Sequence, residues 1–234
     1  SDGVTAVSEH LRQETMNTFK LKKDIKVIHN FIDFSRFRKT NKDHFRKAIA
    51  PEGEKILVHI SNFRKVKRVE DVIHIFERVS KRTKSKLLLI GDGPERKYME
   101  ELCRNLHLCD EIRFLGKQEA VEELLAIADL FILPSENESF GLAALEAMAC
   151  EVPVISSNAG GIPEVNIDGV TGYMCEVGDV DGMAARCIEL LEDEESLAVF
   201  RKNAFKQAQR FDIHEILPSY ENYYLEIIKS TKFN

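Results

Sequence analysis

Short apolar runs alternate with segments of helical periodicity along most of the chain from about residue 55 onward. The runs have the length and content of buried strands, whereas the segments between them repeat apolar residues at helical spacing, as Val69, Val72, Ile73 and Phe76 do. Strands are predicted over residues 56–60, 87–90, 112–115, 130–133, 152–156 and 173–174. Continuous apolar strands separated by helices indicate an α/β fold in which a parallel sheet carries helices on both faces.

The intervening helices are predicted over residues 69–79, 94–106, 120–128 and 183–191, with one more after the strand at 130–133. In a parallel sheet, ligands bind where the carboxyl ends of the strands open. Polar or glycine-containing loops follow the predicted strands, over residues 61–68, 91–94, 116–118, 135–141 and 160–164. Their convergence at one edge of the sheet predicts that the binding site lies there.

Both ends of the chain depart from this alternation. Residues 4–8, 9–19 and 26–29 predict strand, helix and strand, and the first strand has nothing before it to pair with. We therefore expect the natural protein to be longer and this chain to be its C-terminal portion. Near the other end, an apolar and aromatic stripe from Leu217 to Ile228 predicts a helix that packs in the core, docks on a partner domain, or drives self-association into a homo-oligomer.

Composition excludes several classes of function. The formal net charge of −6 argues against a general nucleic-acid or anionic-membrane surface. No apolar run approaches the roughly 20 residues that span a bilayer, so membrane association is not expected. The five cysteines include no C-x-x-C and the seven histidines no H-E-x-x-H, which indicates reduced thiols in a cytoplasmic protein without a metal site.

The most informative stretch runs from Glu138 to Ala149. Glu138 and Glu146 stand eight positions apart with only small or apolar residues between them, and Ser139 is a candidate N-cap for a helix in this stretch. Eight residues of helix rise about 12 Å, whereas the two carboxylates of a glycosidase lie within about 10 Å of each other. The separation instead suits the sugar and ribose ends of an extended nucleotide-sugar. Its diphosphate would then face the free amides of Phe140, Gly141 and Leu142.

The loop 61–68 holds four cations within five residues, and such a cluster after a strand can compensate a diphosphate. The glycines of Gly91–Pro94 only superficially match a dinucleotide loop, because Arg96 occupies the place of the third glycine. No nicotinamide or flavin cofactor is therefore expected. The blander alternatives are a solvated basic face for 61–68, a tight turn for Gly91–Pro94, and exposed positions for both glutamates. The turn at 160–164 receives no catalytic role.

Together these residues resemble the donor-binding half of a retaining GT-B glycosyltransferase, of the large family that contains sucrose synthases and phosphatidylinositol mannosyltransferases. Glu138 and Glu146 match the family's E-x7-E motif, and Lys67 matches its donor-phosphate lysine. Other matches are Gly91–Glu95, Phe114–Gly116, Gly160–Val165 and Gly169–Tyr173. The family commonly has Gly-Arg, four residues, then Lys-Gly, whereas this chain has Ser61-Asn62 and ends the pattern on Arg68. Asn62 or Arg64 would then replace the missing arginine.

The resemblance implies a Rossmann-like sheet, the C-terminal half of a GT-B fold, and metal-independent transfer with retention. The string 61–68, with 116–118 and 175–179, is most similar to the N-acetylglucosaminyl L-malate synthase subfamily of bacillithiol biosynthesis, which implies UDP-GlcNAc as donor and L-malate as acceptor. The implied catalytic residues are Lys67 and Glu138, the latter a positioning group for sugar hydroxyls rather than a nucleophile. The implied donor-binding residues are Asn62, Arg64, Gly91, Lys117, Gln118, Ser139, Phe140, Gly141, Leu142 and Glu146.

In these roles Glu146 would bind the ribose, Lys67 the diphosphate, and the backbone near Lys117 and Gln118 the uracil. Residues 1–30 would be the last elements of an acceptor domain, residues 31–212 the donor domain, and residues 213–234 a helix packing toward the acceptor domain. Because the small hydroxy-acid or sugar acceptor would bind mainly to the missing part, donor binding with little or no turnover is expected. Two alternatives remain open, a UDP-sugar 2-epimerase of the same fold and a non-catalytic nucleotide-sugar binding module.

Overall fold

A computed structural model describes residues 2–21 and 23–231. Its strands are β1 (Thr5–Ala6), β2 (Lys26–Val27), β3 (Lys55–Ser61), β4 (Ser85–Gly91), β5 (Ile112–Gly116), β6 (Leu130–Leu133), β7 (Val154–Ser157) and β8 (Gly172–Cys175). Its helices are α1 (Glu9–Phe19), α2 (Asp43–Ile49), α3 (Val69–Ser80), α4 (Arg96–Asn105), α5 (Val121–Leu125), α6 (Leu142–Ala149), α7 (Val180–Glu192), α8 (Glu194–Ala208) and α9 (Ile213–Thr231). Short 3-10 helices cover Lys65–Lys67, Ile162–Glu164 and Gln209–Phe211.

Strands β3 to β8 form one parallel sheet in the order β5-β4-β3-β6-β7-β8. Successive residues of a strand point to opposite faces, so Ile56 and Val58 of β3 enter one core while Leu57 enters the other. Helix α6 contributes to the first core and helices α3 and α7 contribute to the second. The predicted α/β class, a parallel sheet covered on both faces, is confirmed.

Strand β3 lies in the middle of the sheet, and successive strands are added first on one side of it and then on the other. From β3 the chain adds β4 and β5 on one side, and then β6, β7 and β8 on the other. The connections that leave the carboxyl ends of β3 and β6 therefore run apart, and a crevice opens between them. All five loops singled out in the sequence follow strands of this sheet at that edge.

Strands β1 and β2 form a separate parallel pair that α9 covers. The Tyr223 hydroxyl lies 3.0 Å from the amide nitrogen of Val4, and the Tyr220 hydroxyl donates to the carbonyl of Ile28 at 3.1 Å. On the same helix Tyr224 and Ile228 are 59% and 49% exposed. Within the predicted stripe, Tyr220 and Tyr223 are thus half-buried, whereas Tyr224 and Ile228 are exposed. The domain bounds at 1–30, 31–212 and 213–234 and the self-association stay predictions.

Several predicted boundaries were wrong. The helix expected over 120–128 is confined to α5, and the strand expected over 4–8 is confined to β1. Helix α6 starts at Leu142, so Ser139 is not its N-cap and Glu138 lies in the preceding loop rather than on the helix. The reason is that Gly141 adopts a φ of +93°, and a right-handed helix cannot continue from Leu142 back through a residue in this left-handed conformation. The 12 Å separation along one helix therefore does not apply.

Candidate donor site at the carboxyl edge of the sheet

Lys67 and Glu138 meet in the crevice between the loops that follow β3 and β6. Lys67 Nζ lies 2.6 Å from Glu138 Oε1, and the same carboxylate oxygen accepts a 2.9 Å hydrogen bond from the Ser135 hydroxyl. The side chains of Lys67 and Glu138 are only 20% and 13% exposed. Because a short charge-assisted contact is weakly screened where water is scarce, this pair fixes the two loops relative to each other.

Arg68 also connects the loops that follow β3 and β6. It stands where the family pattern has a glycine after the lysine, and its contacts explain how an arginine is accommodated there. Its φ of +49° is one that glycine adopts freely, and its side chain gives that conformation compensating contacts. The guanidinium donates to Asp71 at 2.6 Å and to Glu136 at 2.9 Å. The amide of Glu136 in turn donates to the carbonyl of Val66 at 2.8 Å. The Arg68 guanidinium therefore joins the start of α3 to the loop that follows β6.

A buried histidine supports the start of the loop 61–68. His59 on β3 is fully buried, and its Nδ1 lies 2.8 Å from the carbonyl oxygen of Ile132 on β6. Since a carbonyl can only accept, Nδ1 carries the proton and Nε2 accepts from the Ser61 hydroxyl at 2.8 Å. Burial lowers the pKa of His59 to about 4, so the ring is neutral near pH 7. His59 thus ties the two strands that border the crevice.

The turn at Gly160 and Gly161 holds the backbone of Glu138. The amide of Gly161 donates to the carbonyl of Glu138 at 2.7 Å. A Cβ at Gly160 would lie 2.1 Å from that carbonyl oxygen, and one at Gly161 would lie 2.5 Å from the carbonyl oxygen of Ser139. Only glycine permits such an approach, so the turn shapes the site although it offers no side chain to a ligand.

In the segment 139–142, Phe140 is buried whereas Ser139 and Leu142 are exposed. Phe140 is 1% exposed and packs against His29 and Phe211, with ring centroids 5.7 and 5.5 Å away. Ser139 accepts a 2.5 Å hydrogen bond from Ser8 through its carbonyl oxygen. The first-turn amides of α6 have no acceptor within their own helix, and the helix dipole adds positive potential there. Gly141 and Leu142 therefore stand at a place suited to an anionic group.

Glu146 lies on α6 and is half-buried. Its carboxylate interacts electrostatically with the charges of Arg36 and Glu122. Burial raises the pKa of Glu146 to about 7, with Arg36 opposing this rise and Glu122 adding to it. Arg36 itself donates to Glu122 at 3.0 Å. Among the described residues, the Glu146 carboxylate has no hydrogen-bond partner, which leaves its oxygens available to accept from a ligand.

The other expected donor residues lie at or after the ends of β3, β4 and β5, at the same edge of the sheet. Asn62 and Arg64 are exposed, and within residues 2–21 and 23–231 neither side chain makes a hydrogen bond. Gly91 has a φ of +123° and would place a Cβ 1.8 Å from the carbonyl oxygen of Ser61, so its first role is to let β4 end against β3. Lys117 and Gln118 are exposed beyond β5, where Gln118 donates to the carbonyl of Leu115 at 2.6 Å.

Four contributors were missed by the sequence analysis, namely His59, Ser135, Arg36 and Glu122. Ser135 lies within a loop that was singled out, and its polar side chain three positions before Glu138 was a usable signal. The other three had none, because their roles depend on partners far away in the chain.

Neither a membrane span nor a metal centre is found in the described part of the chain. No helix there is long and apolar enough to cross a membrane. No group of three or more His, Cys, Asp or Glu side chains is arranged there to hold a metal ion. None of the five cysteines, which all lie in that part of the chain, forms a disulfide.

A family profile described as "Glycosyl transferases group 1" matches residues 40–207. The chain is 48% identical over 234 residues to the N-acetyl-alpha-D-glucosaminyl L-malate synthase of Bacillus anthracis, covering 99% of this chain and 61% of the synthase. It is 34% identical over 173 residues to the glycogen synthase of Mycobacterium tuberculosis, covering 73% of this chain and 40% of that enzyme. The chain thus spans less than two thirds of the length of these relatives.

Solved structures of GT-B glycosyltransferases share this fold. HepE of Anabaena in complex with UDP superposes with a TM-score of 0.88 at 26% identity, covering 97% of this chain and 64% of HepE. HepE with UDP and glucose gives a TM-score of 0.89 at the same identity and coverage. The resemblance to this fold and family that the sequence motifs indicated is confirmed.

Proposed function

The chain belongs to the group 1 glycosyl transferases, and from this membership we propose that it binds the nucleotide-sugar donor of a hexosyltransferase at the carboxyl edge of its sheet. The observation that carries the proposal is the Lys67–Glu138 contact of 2.6 Å in the crevice beside β3 and β6. It places a cation and an acid together where doubly wound sheets bind their ligands.

Each part of the donor has a matching group at this edge. Lys67 and the first-turn amides of α6 offer donors to a diphosphate, as helix starts do for phosphates generally. Glu138 accepts from hydroxyls of the transferred sugar, and the unpartnered Glu146 accepts from the ribose hydroxyls. Asn62 or Arg64 adds to the diphosphate contacts, and the backbone at Lys117 and Gln118 meets the base.

The proposed donor is UDP-GlcNAc and the proposed acceptor is L-malate. The support is the 48% identity to a synthase of N-acetylglucosaminyl L-malate, together with the likeness to HepE bound to UDP. Since this chain spans 61% of that synthase, the acceptor and the complete reaction belong to the proposal.

The proposed reaction proceeds with retention and without a metal ion. In it the donor phosphate assists the acceptor hydroxyl, while Glu138 orients the sugar and does not attack it. Lys67 and the α6 amides supply the positive potential that the leaving diphosphate requires. A cytoplasmic location belongs to the same proposal, because five cysteines at scattered spacing without a C-x-x-C indicate reduced thiols.

Calorimetric titration with UDP-GlcNAc, GDP-mannose and ADP-glucose tests the donor. We expect UDP-GlcNAc to bind and the other two to bind at least about tenfold more weakly, a difference of about 1.4 kcal/mol. Lys67→Met should abolish this binding, whereas Lys65→Met, which changes a neighbouring exposed cation, should leave it within about twofold.

Other outcomes would point elsewhere. A preference for a guanosine or adenosine donor would overturn the UDP-GlcNAc proposal. UDP-GlcNAc binding that survived both Glu138→Ala and Glu146→Ala would favour a non-catalytic module whose site lies in another place. Formation of a new sugar epimer without any acceptor would favour the 2-epimerase.

A further inference from the structure

The ammonium group of Lys67 already has a carboxylate partner inside the protein. Glu138 Oε1 lies 2.6 Å from Lys67 Nζ, and both side chains are at least four-fifths buried. A diphosphate that binds Lys67 must share this ammonium with Glu138 or take it away. The acid next to the phosphate-binding lysine is therefore a competitor for it.

If Lys67 turns toward a phosphate, one hydrogen-bond donor to the Glu138 carboxylate remains among residues 2–21 and 23–231. The Ser135 hydroxyl donates to the same oxygen, Oε1, at 2.9 Å. A largely buried carboxylate that loses a charged partner and gains no other pays a considerable desolvation cost. The cost of recruiting Lys67 thus depends on whether the ligand itself brings donors to Glu138.

An intact nucleotide-sugar and a free nucleoside diphosphate differ in this respect. The sugar hydroxyls can donate to Glu138 when Lys67 turns to the diphosphate. Free UDP has no sugar, and its terminal phosphate carries more negative charge than the esterified one. The carboxylate is then left with Ser135 alone and lies beside a more strongly negative group, which raises the energy of that complex.

We propose that Glu138 is a specificity-determining residue that makes the site favour an intact nucleotide-sugar over free UDP by competing with the diphosphate for Lys67. The inference rests on the proposed donor site. It gives Glu138 a second task after transfer, because the carboxylate that has lost its sugar reclaims Lys67 and weakens the hold on the product.

The test is calorimetric titration of UDP and UDP-GlcNAc into the unaltered chain and into Glu138→Gln. Replacing the carboxylate by the neutral amide removes the competitor, so UDP should bind about tenfold more tightly. UDP-GlcNAc should bind equally or more weakly, because its hydroxyls lose a charged acceptor. Thermal melting establishes that the variant is folded.

Glu136→Gln is the matched control, because it makes the same charge change two residues away. Glu136 is 51% exposed and pairs with Arg68 rather than Lys67, so this variant should leave the ratio of the two affinities unchanged. An equal shift in both variants would show a general charge effect and overturn the inference.

Ser135→Ala gives an independent arm should Glu138→Gln not fold. It removes the second hydrogen-bond donor to Glu138, so the Glu138 carboxylate depends more strongly on Lys67. The affinity for UDP should therefore fall by about threefold relative to the affinity for UDP-GlcNAc. A ratio that stays constant in Ser135→Ala and Glu138→Gln overturns the inference while the donor site stands. Failure of the unaltered chain to bind either ligand overturns the proposed function instead.

Discussion

Two glutamates eight positions apart have opposite electrostatic surroundings. Glu138 is held by the ammonium of Lys67 and the hydroxyl of Ser135. Glu146 has no hydrogen-bond partner among the described residues, and burial raises its pKa to about 7. The motif spacing alone cannot distinguish them, because each environment is assembled from residues elsewhere in the chain.

The raised pKa of Glu146 predicts pH-dependent donor binding. Below pH 7 the carboxyl is mainly protonated, and above pH 7 it is mainly ionised and a better acceptor for ribose hydroxyls. The affinity for UDP-GlcNAc should therefore rise by up to about tenfold from pH 6 to pH 8. Calorimetry in buffers of different ionisation enthalpy should also show proton release on binding at pH 6.

Glu146→Gln is the control for this prediction, since its side chain does not titrate. The phosphates of UDP-GlcNAc are both esterified and do not change charge in this range. The variant should bind with an affinity that is flat between pH 6 and pH 8. A slope in the variant equal to that of the unaltered chain would assign the titration to another group.

At the scale of elements, the site depends on backbone contacts between loops that follow different strands. The turn at Gly160 after β7 supports the Glu138 loop after β6, and the 3-10 helix carrying Lys67 follows β3. These loops meet because β3, β6 and β7 are consecutive neighbours in the sheet. A substitution in one loop should therefore shift the position of a residue in another loop, while the hydrophobic cores on the two faces of the sheet stay unchanged.

Gly160→Ala should weaken UDP-GlcNAc binding by about tenfold or more, because its Cβ would lie 2.1 Å from the carbonyl oxygen of Glu138 and displace it. Gly169→Ala is matched, since Gly169 has a φ of +68° against +62° for Gly160, but a Cβ at Gly169 would meet nothing within 4 Å. Gly169→Ala should lose about 1 kcal/mol of stability from backbone strain, and Gly160→Ala should lose more because the clash adds to the same strain. Calorimetry and chemical denaturation separate the two effects, and similar donor affinities for both variants would contradict the prediction.

At the scale of the whole molecule, the proposed function requires two sides of a transfer site, and the described fold would provide the donor side. The proposed donor groups lie at the carboxyl edge of a single sheet, and the chain covers 61% of the N-acetyl-alpha-D-glucosaminyl L-malate synthase of Bacillus anthracis. In a two-substrate transfer, the acceptor hydroxyl must be held in reach of the sugar carbon, and positioning supplies much of the rate. Binding and turnover should thus separate in this chain.

We expect the 234-residue chain to bind UDP-GlcNAc and to form no detectable N-acetylglucosaminyl L-malate. Donor binding is measured by calorimetry, and product is sought by mass spectrometry after incubation with UDP-GlcNAc and L-malate. Slow hydrolysis of the donor would be compatible with this, because water needs no acceptor site. Accumulation of the glycosylated malate would contradict it and would place the acceptor site within these residues.

The sequence by itself determined the sheet, most of its helices and the edge at which the singled-out loops meet. Apolar runs and helical spacing depend on neighbours a few positions apart, so strand β6 was predicted with its observed bounds, Leu130–Leu133. Helix α8 was missed although Leu197, Phe200 and Ala204 repeat at helical spacing and Asp193 caps its start. That omission was one of interpretation, since the signal is present in the chain.

Only the tertiary structure decided which groups act on one another. Lys67 and Glu138 are 71 positions apart, and they meet because β6 lies beside β3 rather than beside β5. The same order brings His59 to Ile132 and lets burial raise the pKa of Glu146. Local composition encodes the elements, whereas the order of strands sets distance and solvent access, and these determine the charge and partners of each candidate residue.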